Sequence, residues 1–151
     1  MKVFVSHSSM DEPLVEALVE LMRSSLRLSA SDIRCSSVDG HRLSGGARTE
    51  ETIRSEVNSA DSFVVVLSSY SISSLWVAVE IGARWGAGKP LLPLLAPQAS
   101  TDLLKGPLTN IIALRCDSRN QLHQFVHDLA AQMSISIEPP AVYNQYIERI
   151  L

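Results

Sequence analysis

No stretch of this chain approaches the roughly twenty consecutive apolar residues that span a bilayer. Phe63 to Leu67 is too short, and the run from Leu91 to Leu95 is broken by Pro93. A basic excess is missing as well. With 13 Lys+Arg against 16 Asp+Glu, the net charge is -3 and no Lys/Arg cluster is present, which argues against nucleic acid as the main ligand. Cysteine is scarce: Cys35 and Cys116 stand far apart without CxxC spacing, so they read as reduced core residues rather than as a disulfide. Met1 leads straight into the strand-like Lys2-Val3-Phe4-Val5, leaving no room for a secretory signal, and a cytoplasmic location is expected.

Several catalytic signatures are also missing. There is no GxxxxGK(S/T), and Gly82, Gly86 and Gly88 lie in and after a helical pattern rather than between strand and helix, which sets aside the P-loop and Rossmann readings. A serine hydrolase would need a GxSxG elbow, and none exists. His123 and His127 share a helix face, yet HExxH is absent and no third ligand has a recognisable spacing, so they are read as exposed histidines and no metal site is expected.

What remains is a chain of 151 residues, 46% apolar and 19% charged, enough to bury the core of one globular domain. Short apolar runs alternate with helical patterns. Val3-Phe4-Val5 reads as a first strand, and Leu14, Leu18, Leu21, Met22 and Leu26 keep helical spacing after a start at Ser9 or Asp11 with Pro13 in the first turn. Ile33 to Val38 is a second strand, followed by a long loop from Asp39 to Gly46 and a helix from Arg48 to Ala60 that buries Ile53, Val57 and Ala60. Phe63 to Leu67, continuous and β-branched, fits a central parallel strand covered on both faces. Lys89 to Leu95 makes a fourth strand whose prolines place it near a sheet edge, and Ile111 to Cys116 a fifth. Ser118 and Gln121 form a capping-box signal for a helix burying Leu122, Phe125, Val126, Leu129 and Met133. The alternation predicts an α/β fold: a flavodoxin-like open parallel five-stranded sheet with helices on both faces and ligands at the carboxyl ends of the strands.

The most telling stretch is Ser68 to Trp85, a serine-rich loop opening into an almost wholly apolar helix. One carboxylate, Glu80, sits inside that helix, and Trp76 lies one turn before it on the same face. A buried carboxylate is costly, so its retention asks for a reason. The plain alternative is an exposed Glu80 paired with Arg84 at i+4, with Trp76 in ordinary core packing.

Read together, these pieces resemble the Toll/interleukin-1 receptor (TIR) domain family, particularly its bacterial NAD-cleaving members, over residues 1–134. The resemblance is carried by Val3-Phe4-Val5-Ser6-His7-Ser8, by Asp39, Leu43 and Gly46 in the loop the family calls BB, and by Ser68, Tyr70, Ser74, Trp76 and Glu80 in an S-x-x-y-x-x-S-x-W-x-x-x-E arrangement. It implies the TIR fold and an NAD⁺ glycohydrolase that cleaves the nicotinamide–ribose bond, with Glu80 as catalytic carboxylate. By the same resemblance Ser6, His7, Ser8 and Trp76 line the substrate, and Asp39 and Ser44 border the cleft. NAD⁺ is then substrate rather than cofactor, and the partner is a second copy of the chain, met through TIR–TIR contacts that include the BB loop. The position after Trp76, often cysteine in the family, is Val77 here, and Ser8 and Ser9 stand where some enzymatic relatives carry basic residues. Residues 135–151 are expected to be a linker and the start of a C-terminal helix or a truncated following segment. Two other readings accompany the first: a non-catalytic module acting by TIR–TIR contact alone, and a nucleoside deoxyribosyltransferase-like enzyme, which also uses a glutamate on a related fold.

Overall fold

A computed structural model describes residues 1–36 and 49–151. The BB loop, with Asp39 and Ser44, lies outside the described residues. Five strands form one sheet, β1 (Val3–Ser6), β2 (Ile33–Ser36), β3 (Ser62–Leu67), β4 (Leu92–Leu95) and β5 (Leu114–Arg115), in the order β2-β1-β3-β4-β5. Every neighbouring pair is parallel. Helices α1 (Glu12–Leu26), α2 (Thr49–Ser59), α3 (Leu75–Gly86), α4 (Arg119–Met133) and α5 (Pro140–Ile150) cover it, so the predicted open α/β sheet is observed.

Strand alternation splits the core in two. Val3, Val5, Val64, Val66, Leu92 and Leu94 point to the side of α1, α4 and α5. Phe4, Phe63, Val65 and Leu67 point to the side of α2 and α3, where the Phe4 and Phe63 rings stack at 5.6 Å between centroids. β3 is buried at every position, as expected for a central strand covered on both faces. Each large apolar side chain so enclosed contributes about 1.5–3 kcal/mol, which is why residues with no polar handle occupy nearly all of β3.

β4 stands one strand in from the β5 edge, near the edge as its prolines suggest, and Pro93 pairs only with Val65 of β3, because β5 reaches only Leu94 and Leu95. The missing proline N–H therefore costs no ladder bond on the β5 side. β5 is two residues long instead of six, and Ile112 is 87% exposed, so the apolar run Ile111 to Ala113 is a surface connection with only its last part drawn into the sheet. At the start of α4, the Ser118 hydroxyl accepts from the Gln121 N–H, but the Gln121 side chain accepts from the Arg115 N–H instead of closing the capping box, and so ties β5 to α4. The segment after Pro139 forms α5, whose Tyr143, Ile147 and Ile150 are buried against the core beside α1. His123 is only partly exposed, its ring meeting Tyr143. Among the described residues no helix is long and apolar enough to cross a membrane.

Candidate functional site

α3 begins at the carboxyl edge of the sheet, where the Ser74 hydroxyl accepts from the Val77 N–H and caps the helix. The preceding loop is held by its own serines: Ser68 Oγ accepts from the Tyr70 and Ser71 N–H groups, and Ser71 Oγ accepts from the Ser68 N–H. This reciprocal knot lets a polar loop turn sharply without orphaned donors. Ser68 Oγ in turn donates to Asp11 Oδ2 at 2.5 Å, joining the β3–α3 loop to the start of α1. Asp11, offered by the sequence as a helix cap, makes no side-chain cap bond and serves this cross-link instead.

Glu80 is fully buried, and Ser6 Oγ, at the end of β1, donates to its Oε1 at 2.7 Å. Hydrogen bonds to an ionised acceptor are the strong kind, about 1.5–3 kcal/mol each, and Ser6 is one of the groups that offset the cost of desolvating this carboxylate. Trp76, one turn earlier, is half-buried and packs against the apolar cluster of α2 and α3. Three residues singled out from the sequence, Ser6, Trp76 and Glu80, therefore meet on one side of the sheet.

Arg84 does not pair with Glu80. Its guanidinium is 1% exposed and donates to four backbone carbonyls: Nε to Pro90 at 2.9 Å, Nη1 to Val57 and Ala60 at 3.0 and 2.8 Å, and Nη2 to Asp61 at 3.4 Å. These are the open carbonyls after the last turn of α2 and in the approach to β4, which a buried cation satisfies well. Burial lowers its pKa and the nearby Asp61 opposes that shift, while the guanidinium stays charged.

His7 and Ser8 do not join Ser6. Alternation turns the His7 ring to the α1 side, where it lies in a groove with Val15 and Cys35, while Ser6 faces α3. Ser8 Oγ is spent on the Met10 N–H, capping the short turn before α1. A cleft of about 510 Å³ opens at the carboxyl ends of β3 and β4, lined by Asp11, Ser68, Tyr70, Gln98 and Ser100 among others, but neither Glu80 nor Trp76 belongs to it. The Asp11–Ser68 bond and the carbonyl-capping Arg84 escaped sequence reasoning because their partners are distant in the chain. The one available hint was the unusual density of serine after β3.

Residues 3–130 match the profile of the TIR domain. No curated protein matches the chain in sequence. Among solved structures, the TIR domain of the Toll-related receptor TRR-2 from the lower metazoan Hydra magnipapillata is similar in fold, with a TM-score of 0.62 at 15% identity over 87% of this chain and 97% of that one. Two looser likenesses are the flavoenzyme NAD(P)H:(acceptor) oxidoreductase FerB of Paracoccus denitrificans and the TIR domains of the activated Roq1 resistosome. FerB has a TM-score of 0.48 at 10% identity over 89% and 98% of the two chains, and Roq1 has 0.46 at 18% over 99% and 96%. With the profile spanning most of the sequence and the five-stranded parallel sheet ordered as described, the chain belongs to the TIR domain family.

Proposed function

We propose that this TIR domain is an NAD⁺ glycohydrolase, releasing nicotinamide and leaving ADP-ribose or a cyclic ADP-ribose, and that it works as a homo-oligomer in bacterial defence or signalling. The observation that carries the reading is the fully buried Glu80 carboxylate, held by Ser6 at the carboxyl edge of the sheet one turn from Trp76. When the bond between ribose C1′ and the pyridinium nitrogen breaks, its electron pair leaves with nicotinamide, which departs neutral and needs no general acid. The ribosyl carbon is left with oxocarbenium character, which a carboxylate in a water-poor setting stabilises well. Water then adds to C1′ and loses a proton, or an adenine nitrogen of the same molecule adds and closes a ring. Trp76 offers a ring on which a base can stack. By the family resemblance, Asp39 and Ser44 are proposed to contact the same substrate.

A second reading, assembly without chemistry, is favoured by a different observation. Leu75 and Val79, one turn apart on the outer side of α3, are 77% and 45% exposed, and Ile72, in the turn just before the helix, is 44% exposed; exposed apolar side chains of this kind suit contact with another copy. Nicotinamide release from NAD⁺ by purified, concentrated protein, wild type against Glu80→Gln, separates the two. Release by the wild type and its loss in the variant is the expected outcome. Equal release in both removes Glu80 from the chemistry, and assembly with no release in either favours the interaction module.

A further inference from the structure

A pocket of about 170 Å³ opens between α3 and the chain that follows β4. Leu67, Val77, Ile81 and Leu108 form its inner lining, none more than 8% exposed, and Ile72 and Pro107 stand on its exposed side. Only two polar side chains line it, Ser71 and Lys105. The Ser71 hydroxyl is spent within its own loop, accepting from the Ser68 N–H and donating to the Ser68 carbonyl. Lys105 is exposed, and no carboxylate among the described residues pairs with it. Its backbone is fixed by the short turn that follows, where its carbonyl accepts from the Leu108 N–H. The pocket therefore joins an apolar interior to one ammonium group at its mouth.

Gly82 supplies a second, independent observation. It lies inside α3, where glycine weakens a helix relative to alanine. A Cβ at this position would meet no atom within 4 Å, so no close neighbour requires glycine there. Position 82 lines the pocket, and a larger side chain would take up its space. Keeping that space open gives the glycine a use that packing does not.

Size and charge then narrow the ligand. A recess of this volume holds about six to nine non-hydrogen atoms, since a cavity of about 150 Å³ lined by Leu, Ile and Phe accepts benzene. Nucleotides and peptides are larger. The apolar lining takes a ring or a branched alkyl group, whose burial is favourable in proportion to the area removed from water. One ammonium at the mouth matches one negative charge, whereas a phosphate monoester, carrying nearly two, calls for further donors that the lining does not offer. We propose that this pocket binds a small hydrophobic monocarboxylate of about the size of benzoate, its apolar body against Val77, Ile81 and Leu108 and its carboxylate at Lys105 Nζ. The proposal is independent of NAD⁺ cleavage, and its test reads binding alone.

The test is a titration of the whole chain, with its Ile, Leu and Val methyl groups isotope-labelled, followed by NMR at pH 7.5 with benzoate, benzyl alcohol and acetate at matched ionic strength. Benzoate is expected to shift the Ile81 and Leu108 methyl signals saturably and to bind about threefold tighter than benzyl alcohol, as one exposed ion pair would give. Acetate, which keeps the charge but lacks the ring, should leave those signals unmoved. Lys105→Gln should bring benzoate and benzyl alcohol to equal affinity with the melting temperature unchanged. Gly82→Leu, which fills the pocket from α3, should lose both ligands while the backbone spectrum stays folded, and if it does not fold the Lys105→Gln comparison decides alone. No saturable shift with benzoate, equal affinity of the wild type for benzoate and benzyl alcohol, or undiminished benzoate binding by folded Gly82→Leu overturns the proposal. Movement of the same methyl signals on concentrating the protein alone also overturns it, making the pocket a seat for an apolar side chain of a second copy.

Discussion

Glu80 and Arg84 stand one turn apart on α3, both buried and opposite in charge, at the spacing that ordinarily makes a helix ion pair. They do different work. Arg84 lies toward the amino edge of the sheet and gives its N–H groups to the carbonyls of Val57, Ala60, Asp61 and Pro90, binding the end of α2 to the entries of β3 and β4. Glu80, nearer the carboxyl edge, takes the hydroxyl of Ser6. In an open parallel sheet the amino edge is where chain ends are tied, and the carboxyl edge is where ligands are met. A turn of helix is enough to carry a buried charge from one role to the other.

The comparison is broken most directly by exchanging what each charge does. Glu80→Gln keeps a hydrogen-bond acceptor for Ser6, so it should cost nicotinamide release about a thousandfold while urea denaturation moves by only about 1 kcal/mol. Arg84→Met should do the reverse, losing about 3 kcal/mol or more of stability as buried carbonyls lose their donor. A loss under about 1 kcal/mol would show that water replaces the guanidinium. Ser6→Ala sharpens the contrast, since it removes a bond only Glu80 uses: turnover should fall about tenfold with the melting temperature little changed, and an unchanged rate would make Ser6 a spectator.

His7 supplies a smaller, pH-dependent effect. Its folded pKa lies below the ordinary 6.5, so the unfolded chain takes up a proton that the folded one refuses. Stability from this group is complete above about 6.5 and declines as the pH falls below it. The melting temperature of the wild type should therefore drop more between pH 7.5 and 5.5 than that of His7→Phe, and parallel profiles would place the acid sensitivity elsewhere. Smallest of all, Ser134 closes α4 with a left-handed backbone, φ 54° and ψ 44°. Ser134→Gly relieves that conformation and should stabilise by about 0.5–1 kcal/mol in the same denaturation assay.

Much of the fold was legible in the chain because its signals are local. Phe63 to Leu67 announced a doubly covered strand by an unbroken β-branched run, and Pro13 and Ser118 marked helix starts by what their own backbones need. The strand from Ile111 misled because apolar composition alone does not say which residues find a ladder partner: β4 begins at Leu92, but the position that would face Ala113 is Pro93, and pairing starts only at Leu94 and Leu114. Within the site, Trp76 and Glu80 were legible together because helix periodicity places them on one face.

The sequence by itself determined which residues share a helix face or a strand side, since those relations depend only on a period of 3.6 or 2. It also determined that the chain alternates strand and helix, and hence that its sheet is parallel. Only the tertiary structure decided that Arg84 would turn from Glu80 to the end of α2, and that Asp11 would cross to Ser68. The same holds for the parting of neighbours: Ser6 reaches Glu80 while His7 looks into a groove of glutamates on the opposite face. Buried polar groups choose partners by what is near in space once the layers close, and no pattern along the chain encodes that proximity.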